Sequence, residues 1–182
     1  MPLLDGRIVM PPLPEGRVLP VVTAPADVLS TACVDVDPSD PAVVQLAADL
    51  LVTQRVSPGC VGLAANQVGV GWRVFSLDVT QHPKARTTHG EYVLVNARVE
   101  SSSRNEKSRE GCMSVPDFTG DVKRASRIVV RGLLPVTGEE VVVETDAFEA
   151  RALQHELDHL DGFVFLDRVA GAHAVYPRQT YL

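Results

Sequence analysis

The chain has 182 residues, of which 45% are hydrophobic and 22% charged, with a formal net charge of −6. That length can bury a real core, so residues 1–182 read as one globular domain, and the acidic balance offers no footprint for nucleic acid. Cys33, Cys60 and Cys112 are too few, and odd in number, for a disulfide framework, and no stretch has membrane-spanning length or a signal peptide's apolar core. The expected setting is reducing and cytoplasmic, with neither membrane nor nucleic acid as a partner.

Residues 1–19 are rich in Pro and Gly and predict an extended lead-in. A short strand or turn is expected within Val21–Val36. The first helix should start at Ser39 or Asp40, with Pro41 in its first turn and Pro58-Gly59 as its stop. Val43, Leu46, Ala47, Leu50 and Leu51 follow helical spacing along it, and these are core positions.

Gly59 to Gly69 is dense in small residues. It reads either as a tight turn under the core or as a place where a ligand backbone comes close. Gln67 is the amide there that could donate to a carbonyl oxygen. Val74–Val79 and Tyr92–Val95 predict strands, joined by a polar loop whose His82 and His89 have no ligand-like spacing and read as solvated. Ser101–Arg109 is charged and reads as a connection. Ile128–Gly132 and Val141–Glu144 predict two more strands around a Thr137-Gly138 turn. Between them lies Glu110-Gly111-Cys112-Met113-Ser114. A lone cysteine in a reducing compartment is usually a small buried hydrophobe.

The last predicted helix runs from Ala147 to Asp161, with Asp146 and Glu149 as a capping box and Gly162 just past the end. It would bury Phe148, Ala152, Leu153, Leu157 and Leu160. It also carries Gln154-His155-Glu156-Leu157-Asp158-His159. His155 and His159 lie one turn apart on one face, a spacing that can close on a single metal ion. Glu156 is rotated off that face, where a carboxylate can take a proton from a metal-bound water. The bland alternative is an amphipathic helix end that happens to hold two histidines. A third ligand decides the class. Phe165 stands where some proteases place a third histidine, and no glutamate follows Glu156. Asp161, Asp167 and His173 are weak candidates, and Cys112 is the leading one. Residues 169–182 form a short tail. The elements predict an α+β domain of short, mostly antiparallel strands packed around a central helix that bears the HExxH motif.

Three stretches together resemble the peptide deformylase family. Cys60–Gln67 is similar to its first motif except at the opening glycine, and Glu110–Ser114 to its second with Met113 for leucine. Gln154–His159 matches its third in full. The resemblance implies one divalent metal on Cys112, His155 and His159. Ferrous iron is the expected native ion, while zinc, nickel or cobalt could occupy purified protein. It implies removal of the formyl group from N-formylmethionyl nascent peptides, with Glu156 as general base and acid. Gln67 and the Met113 backbone N–H would hold the oxyanion. Gly62 would meet the peptide backbone beside Cys60, and Val61, Phe148 and Ala152 would line a slot for the methionine side chain. Glu110, Arg124 and Gln154 are expected to orient the ligands by hydrogen bonding. Thr119 stands where many members carry a peptide-binding arginine. A side chain at Cys60 should narrow the substrate path. Both departures predict weaker binding of longer peptides. The short tail argues against ribosome docking by a long C-terminal helix, leaving at most transient proximity. The rival readings are a metalloprotease and a specialised relative acting on another formylated or acylated amine.

Overall fold

The computed structural model describes residues 2–179, so Met1 of the lead-in and residues 180–182 of the tail lie outside it. Residues Leu3–Leu4 (β1) and Arg7–Ile8 (β2) make a small antiparallel hairpin. Its turn is Asp5-Gly6, both at positive φ, the geometry a two-residue hairpin needs. The lead-in is therefore structured at its start and then runs extended, with Met10, Leu13 and Leu19 packed on the core. Val21–Val36 forms no named strand. It holds a short 3₁₀ turn at Asp27–Ser30 and a single bridge from Val34 to Trp72.

Helix α1 (Pro41–Val56) starts as its sequence predicts, with the Asp40 carboxylate accepting from the Ala42 N–H at 2.8 Å. Its apolar face, Val43, Leu46, Leu50 and Leu51, packs on a cluster with Leu63, Val74 and Val93. Its buried polar groups tie down neighbours. Asp49 accepts from Arg17 N–H, Thr53 Oγ1 accepts from Leu19 N–H, and Gln54 Oε1 accepts from Ser76 Oγ.

One antiparallel sheet follows, in the order β3 (Gly62–Ala64), β4 (Val74–Leu77), β5 (Tyr92–Cys112), β6 (Val115–Leu133) and β7 (Glu140–Asp146). A last strand, β8 (Val175–Pro177), pairs with β6. The β5–β6 pair corrects the reading of Ser101–Arg109 as a connection. Those residues are paired with β6 but largely exposed, so neither face shows the apolar alternation by which strands are recognised.

Helix α2 (Ala147–Leu160) packs against this sheet, with Ala150, Leu153, Leu157 and Leu160 in a core cluster with Phe75, Leu94, Ile128 and Val130. Gly162 follows it at φ +86°, the left-handed residue that ends such helices. The predicted capping box does not form. The Asp146 side chain makes no cap bond, and Glu149 is fully buried. Glu149 instead accepts from Thr145 Oγ1 and His89 N–H, with His89 Nδ1 at 2.7 Å. A buried carboxylate with several donors outcompetes a solvent-exposed cap. His89 is accordingly buried, not solvated. His82 stacks flat on Phe148, ring centroids 3.5 Å apart.

Candidate active site

The site forms where three remote stretches converge on the face of α2. The β5–β6 hairpin turns at Met113-Ser114, with Cys112 paired to Val115, and this carries the Cys112 thiol down onto the helix. Ligand atoms of Cys112, His155 and His159 all lie within 4.8 Å of one another, with Cys112 Sγ 3.3 Å from His159 Nε2. β3 also packs against the helix. Gly62 there faces Glu156 so closely that a Cβ would come within 2.6 Å of Glu156 Oε1, so any side chain at 62 would collide with that carboxylate.

The residues present fit a divalent metal on their own chemistry. One thiol and two imidazoles form a borderline-soft donor set. The ring of His159 is fully buried, and its pKa is driven well below the imidazole range, chiefly by burial and then by the charge of His155. A neutral imidazole is the form that ligates. His155 differs: burial opposes its charge, but hydrogen bonds to Cys112 and Glu110 carry its pKa well above the usual range. The surroundings thus favour positive charge between Cys112 and Glu110. Buried Glu156 Oε2 and His159 Nδ1 have no partner among the described residues. Orphaned polar atoms of that kind are expensive unless chemistry uses them.

Behind the ligands lies a chain of ion pairs. His155 Nδ1 sits 2.9 Å from Glu110 Oε1. Arg124 clasps Glu110 at 2.6 and 2.9 Å and reaches Asp158 at 2.8 Å. Arg168 completes the line on Asp158, and Arg151 joins at Glu110. Burial works against charge on Glu110, yet hydrogen bonds from His155 and Arg124 hold its pKa down at about 2. It is a permanent acceptor that fixes the ring orientation of His155. Burial pushes Glu156 up to about 7, partly offset by the charges of His155 and Arg124, a value at which a carboxyl can both accept and give a proton near neutral pH.

Gln67 enters from the 3₁₀ turn after β3. Its Nε2 donates to Cys112 Sγ at 3.3 Å and Ser114 Oγ at 3.2 Å, while its Oε1 accepts from Ala64 N–H. Cys60, Val61, Gly62, Met113, Phe148 and Ala152 all line a cleft of about 870 Å³ that opens onto Glu156. Cys60 Sγ donates to Gly62 O, and its backbone is not among the positive-φ residues, so the cysteine costs no backbone strain there. Gln154 does not reach a ligand. It clasps both backbone groups of Ala125 and so fixes α2 onto β6. Asp161 is engaged by Arg73 and His173 is exposed, which leaves neither as a third ligand. Sequence reasoning did not assign Asp158, Arg168, Arg151 or Asn66, whose amide donates to the His159 carbonyl at 2.5 Å. Asp158 inside the HExxH spacing and Asn66 one residue before Gln67 were the available signals.

A helix-borne HExxH joined by a cysteine from a β-hairpin defines a class of metal-dependent hydrolases. Residues 18–174 match the family model for polypeptide deformylase. A peptide deformylase of Syntrophobacter fumaroxidans is 38% identical over 152 residues, covering 84% of this chain and 86% of that protein. Peptide deformylase 1 of Vibrio vulnificus is 40% identical over 151 residues, 82% of this chain and 85% of that one. Among solved structures, peptide deformylase from Ehrlichia chaffeensis superposes with a TM-score of 0.78 at 34% identity, covering 85% of this chain and 89% of that one. The enzyme from Acinetobacter baumannii, solved bound to Met-Ala-Ser, gives 0.76 at 33% identity, over 85% and 100% of the two chains. The chain belongs to the peptide deformylase family and is a hydrolase of that family.

Proposed function

We propose that the chain removes the formyl group from N-formylmethionyl peptides as they leave the ribosome, in the cytoplasm where such peptides are made. The observation that carries this is Glu156, whose buried Oε2 has no partner beside converging Cys112, His155 and His159 at the floor of an open cleft. Cys112, His155 and His159 would hold a divalent ion, which would supply Lewis acidity toward the formyl carbonyl and the attacking water.

The chain's own residues do the rest. Glu156 takes the proton of the attacking water as its oxygen bonds to the formyl carbon. The C–N bond then breaks, Glu156 returns the proton to the departing amine, and formate and a free N-terminus are the products. Gln67 Nε2 and the Met113 N–H donate to the developing oxyanion. Both present contacts of Gln67 Nε2 are long, and an oxyanion is a stronger acceptor than a thiol or hydroxyl. Losing one such donor typically costs roughly a hundredfold in rate. Glu110 and Arg124 hold His155 in orientation. Gly62 leaves room for the substrate backbone beside Glu156, while Val61, Phe148 and Ala152 line the methionine slot, with Cys60 at its edge.

Steady-state assay of formyl-Met peptides against acetylated and unformylated controls tests the reading. Turnover confined to formyl peptides is expected. Hydrolysis of an internal peptide bond would return the protein to the protease class, and preference for another acyl group would make it a specialised relative. Ferrous iron is the proposed native ion, with nickel or cobalt as working substitutes and zinc supporting less activity. Activity should then fall on exposure to peroxide, which attacks both the ion and the Cys112 thiolate. Fully active, anaerobically purified protein containing zinc alone would refute the iron assignment.

A further inference from the structure

Basic side chains outnumber acidic ones along the cleft, which also holds Glu106, Glu110, Asp146 and Glu156, although the chain as a whole carries a net charge of −6. Lys84, Arg86, Arg104, Lys107, Arg127 and Arg178 all line it. Five come from loops or the exposed flank of the β5–β6 pair. Arg178 comes from the C-terminal tail, and its placement is fixed by an anchor of its own.

That anchor is β8. Tyr176 pairs with Thr119, and the Arg178 N–H donates to Asp117 O at 2.9 Å. The Tyr176 hydroxyl donates to Asp121 at 3.1 Å, and the Arg109 guanidinium lies 3.6 Å over the Tyr176 ring while donating to the same carboxylate. Held this way, the Arg178 side chain crosses Gly111. A Cβ at position 111 would lie 2.5 Å from Arg178 Nη2, so the missing side chain is what seats the guanidinium. Its Nη2 donates to Cys112 O at 3.3 Å. A guanidinium has five N–H donors in a planar fork, and no carboxylate among the described residues pairs with this one. It is exposed along the same cleft that Phe148 and Ala152 line.

We propose that Arg178 is a substrate-binding residue that takes a peptide carboxylate beyond the methionine, from an acidic side chain or from the peptide's own C-terminus. This rests on the deformylase reading and adds a substrate preference to it. The basic wall attracts such peptides, and the Arg178 fork gives a carboxylate two parallel donors.

Three substrates distinguish the two sources: formyl-Met-Ala-Ala-amide, the same peptide with a free C-terminal carboxylate, and formyl-Met-Ala-Asp-amide. At least one carboxylate peptide should show a KM about tenfold below that of the neutral amide, as expected for one charge-assisted contact. Whichever does so names the source. Arg178→Ala should erase the preference, Arg178→Lys should restore part of it, and Arg178→Glu should reverse it. Throughout, kcat should stay within about twofold, the pattern of lost uniform binding. Raised salt should narrow the preference. Equal KM for all three substrates in the natural protein would overturn the proposal. So would a uniform fall in kcat across them in the variants, which would mean that Arg178 serves by holding the Cys112 carbonyl. If no formyl peptide is turned over, the deformylase reading fails separately. Calorimetric binding of Met-Ala-Asp-amide, and of Met-Ala-Ala with a free C-terminus, each against Met-Ala-Ala-amide, to the metal-loaded protein and its Arg178→Ala variant then still decides the role of Arg178.

Discussion

Helices α1 and α2 both bury polar side chains, and they differ in what those side chains meet. On α1, Asp49, Thr53 and Gln54 each find a partner from elsewhere in the chain: the backbone of Arg17 and Leu19, and the hydroxyl of Ser76. On α2, Glu149 is likewise saturated by Thr145 and His89, but Glu156 and His159 each keep a buried atom without a partner. Satisfied buried polar groups assemble structure, while unsatisfied ones are a cost that a folded protein tolerates where chemistry needs them. The same helix thus divides by turns: its first turn is an anchor, and its later turns carry the proposed site.

The sharpest way to break this contrast is at Glu156. Glu156→Ala should lower kcat by about a thousandfold or more, the scale of general acid–base catalysis, in a folded protein with full metal content. Metal and activity are to be measured on one sample, and residual activity within about tenfold would remove Glu156 as the base.

Next in size is the support behind His155. Glu110→Gln keeps the shape but removes the charge that Arg124 and His155 both use. Metal affinity should fall roughly tenfold to a hundredfold, read by competition with a chelator. Thermal stability should also drop, because Arg124 is 6% exposed and would lose one of its two carboxylates. Unchanged affinity would reduce Glu110 to a structural ion pair.

On α1 the contrast predicts stability without chemistry. Asp49→Ala should cost about 1.5–3 kcal/mol in denaturant unfolding, the usual worth of a buried charged acceptor, and leave kcat/KM within about twofold. A large loss of activity at equal stability would mean that the lead-in reaches the site, and the division between the helices would fail.

The smallest effect is expected at Cys60. Burial, then the charge of Glu156, pushes its thiol up to about 12. At pH 8 its thiolate population is then roughly a thousandth of that of an ordinary cysteine, so alkylation by iodoacetamide should be slow and should quicken as pH rises toward 10. Cys60→Gly should change KM for longer peptides by a small factor and leave kcat alone. A rise in kcat would place Cys60 in the chemistry.

The residues to which the proposed chemistry is assigned were legible because their constraints are local. HExxH spacing follows from 3.6 residues per turn, so His155, His159 and Glu156 could be placed on α2 from the chain alone. The start of α1 at Asp40-Pro41 and the stop of α2 at Gly162 were equally plain, since caps are decided by one or two side chains. Cys112 leads as the third-ligand candidate because the helix lacks one, and the family resemblance then implies it as a ligand; nothing in the spacing of residues 112 and 155 by itself brings them together. Tertiary structure alone decided the rest. Ser101–Arg109 became a strand through pairing with β6, which a sequence without alternation cannot announce. Glu149 left its expected cap because His89 and Thr145, remote or folded beside it, offered stronger donors in a buried place. Arg124 proved a buried bridge between Glu110 and Asp158, one on a strand and one on a helix. Thr119 offers no cation, but it pairs with Tyr176, and so the tail brings Arg178 to the cleft instead. Sequence determines what each residue can offer over a turn of helix or a tight hairpin. Which distant partner accepts the offer is settled by competition among buried groups, and that competition exists only once the chain has closed around them.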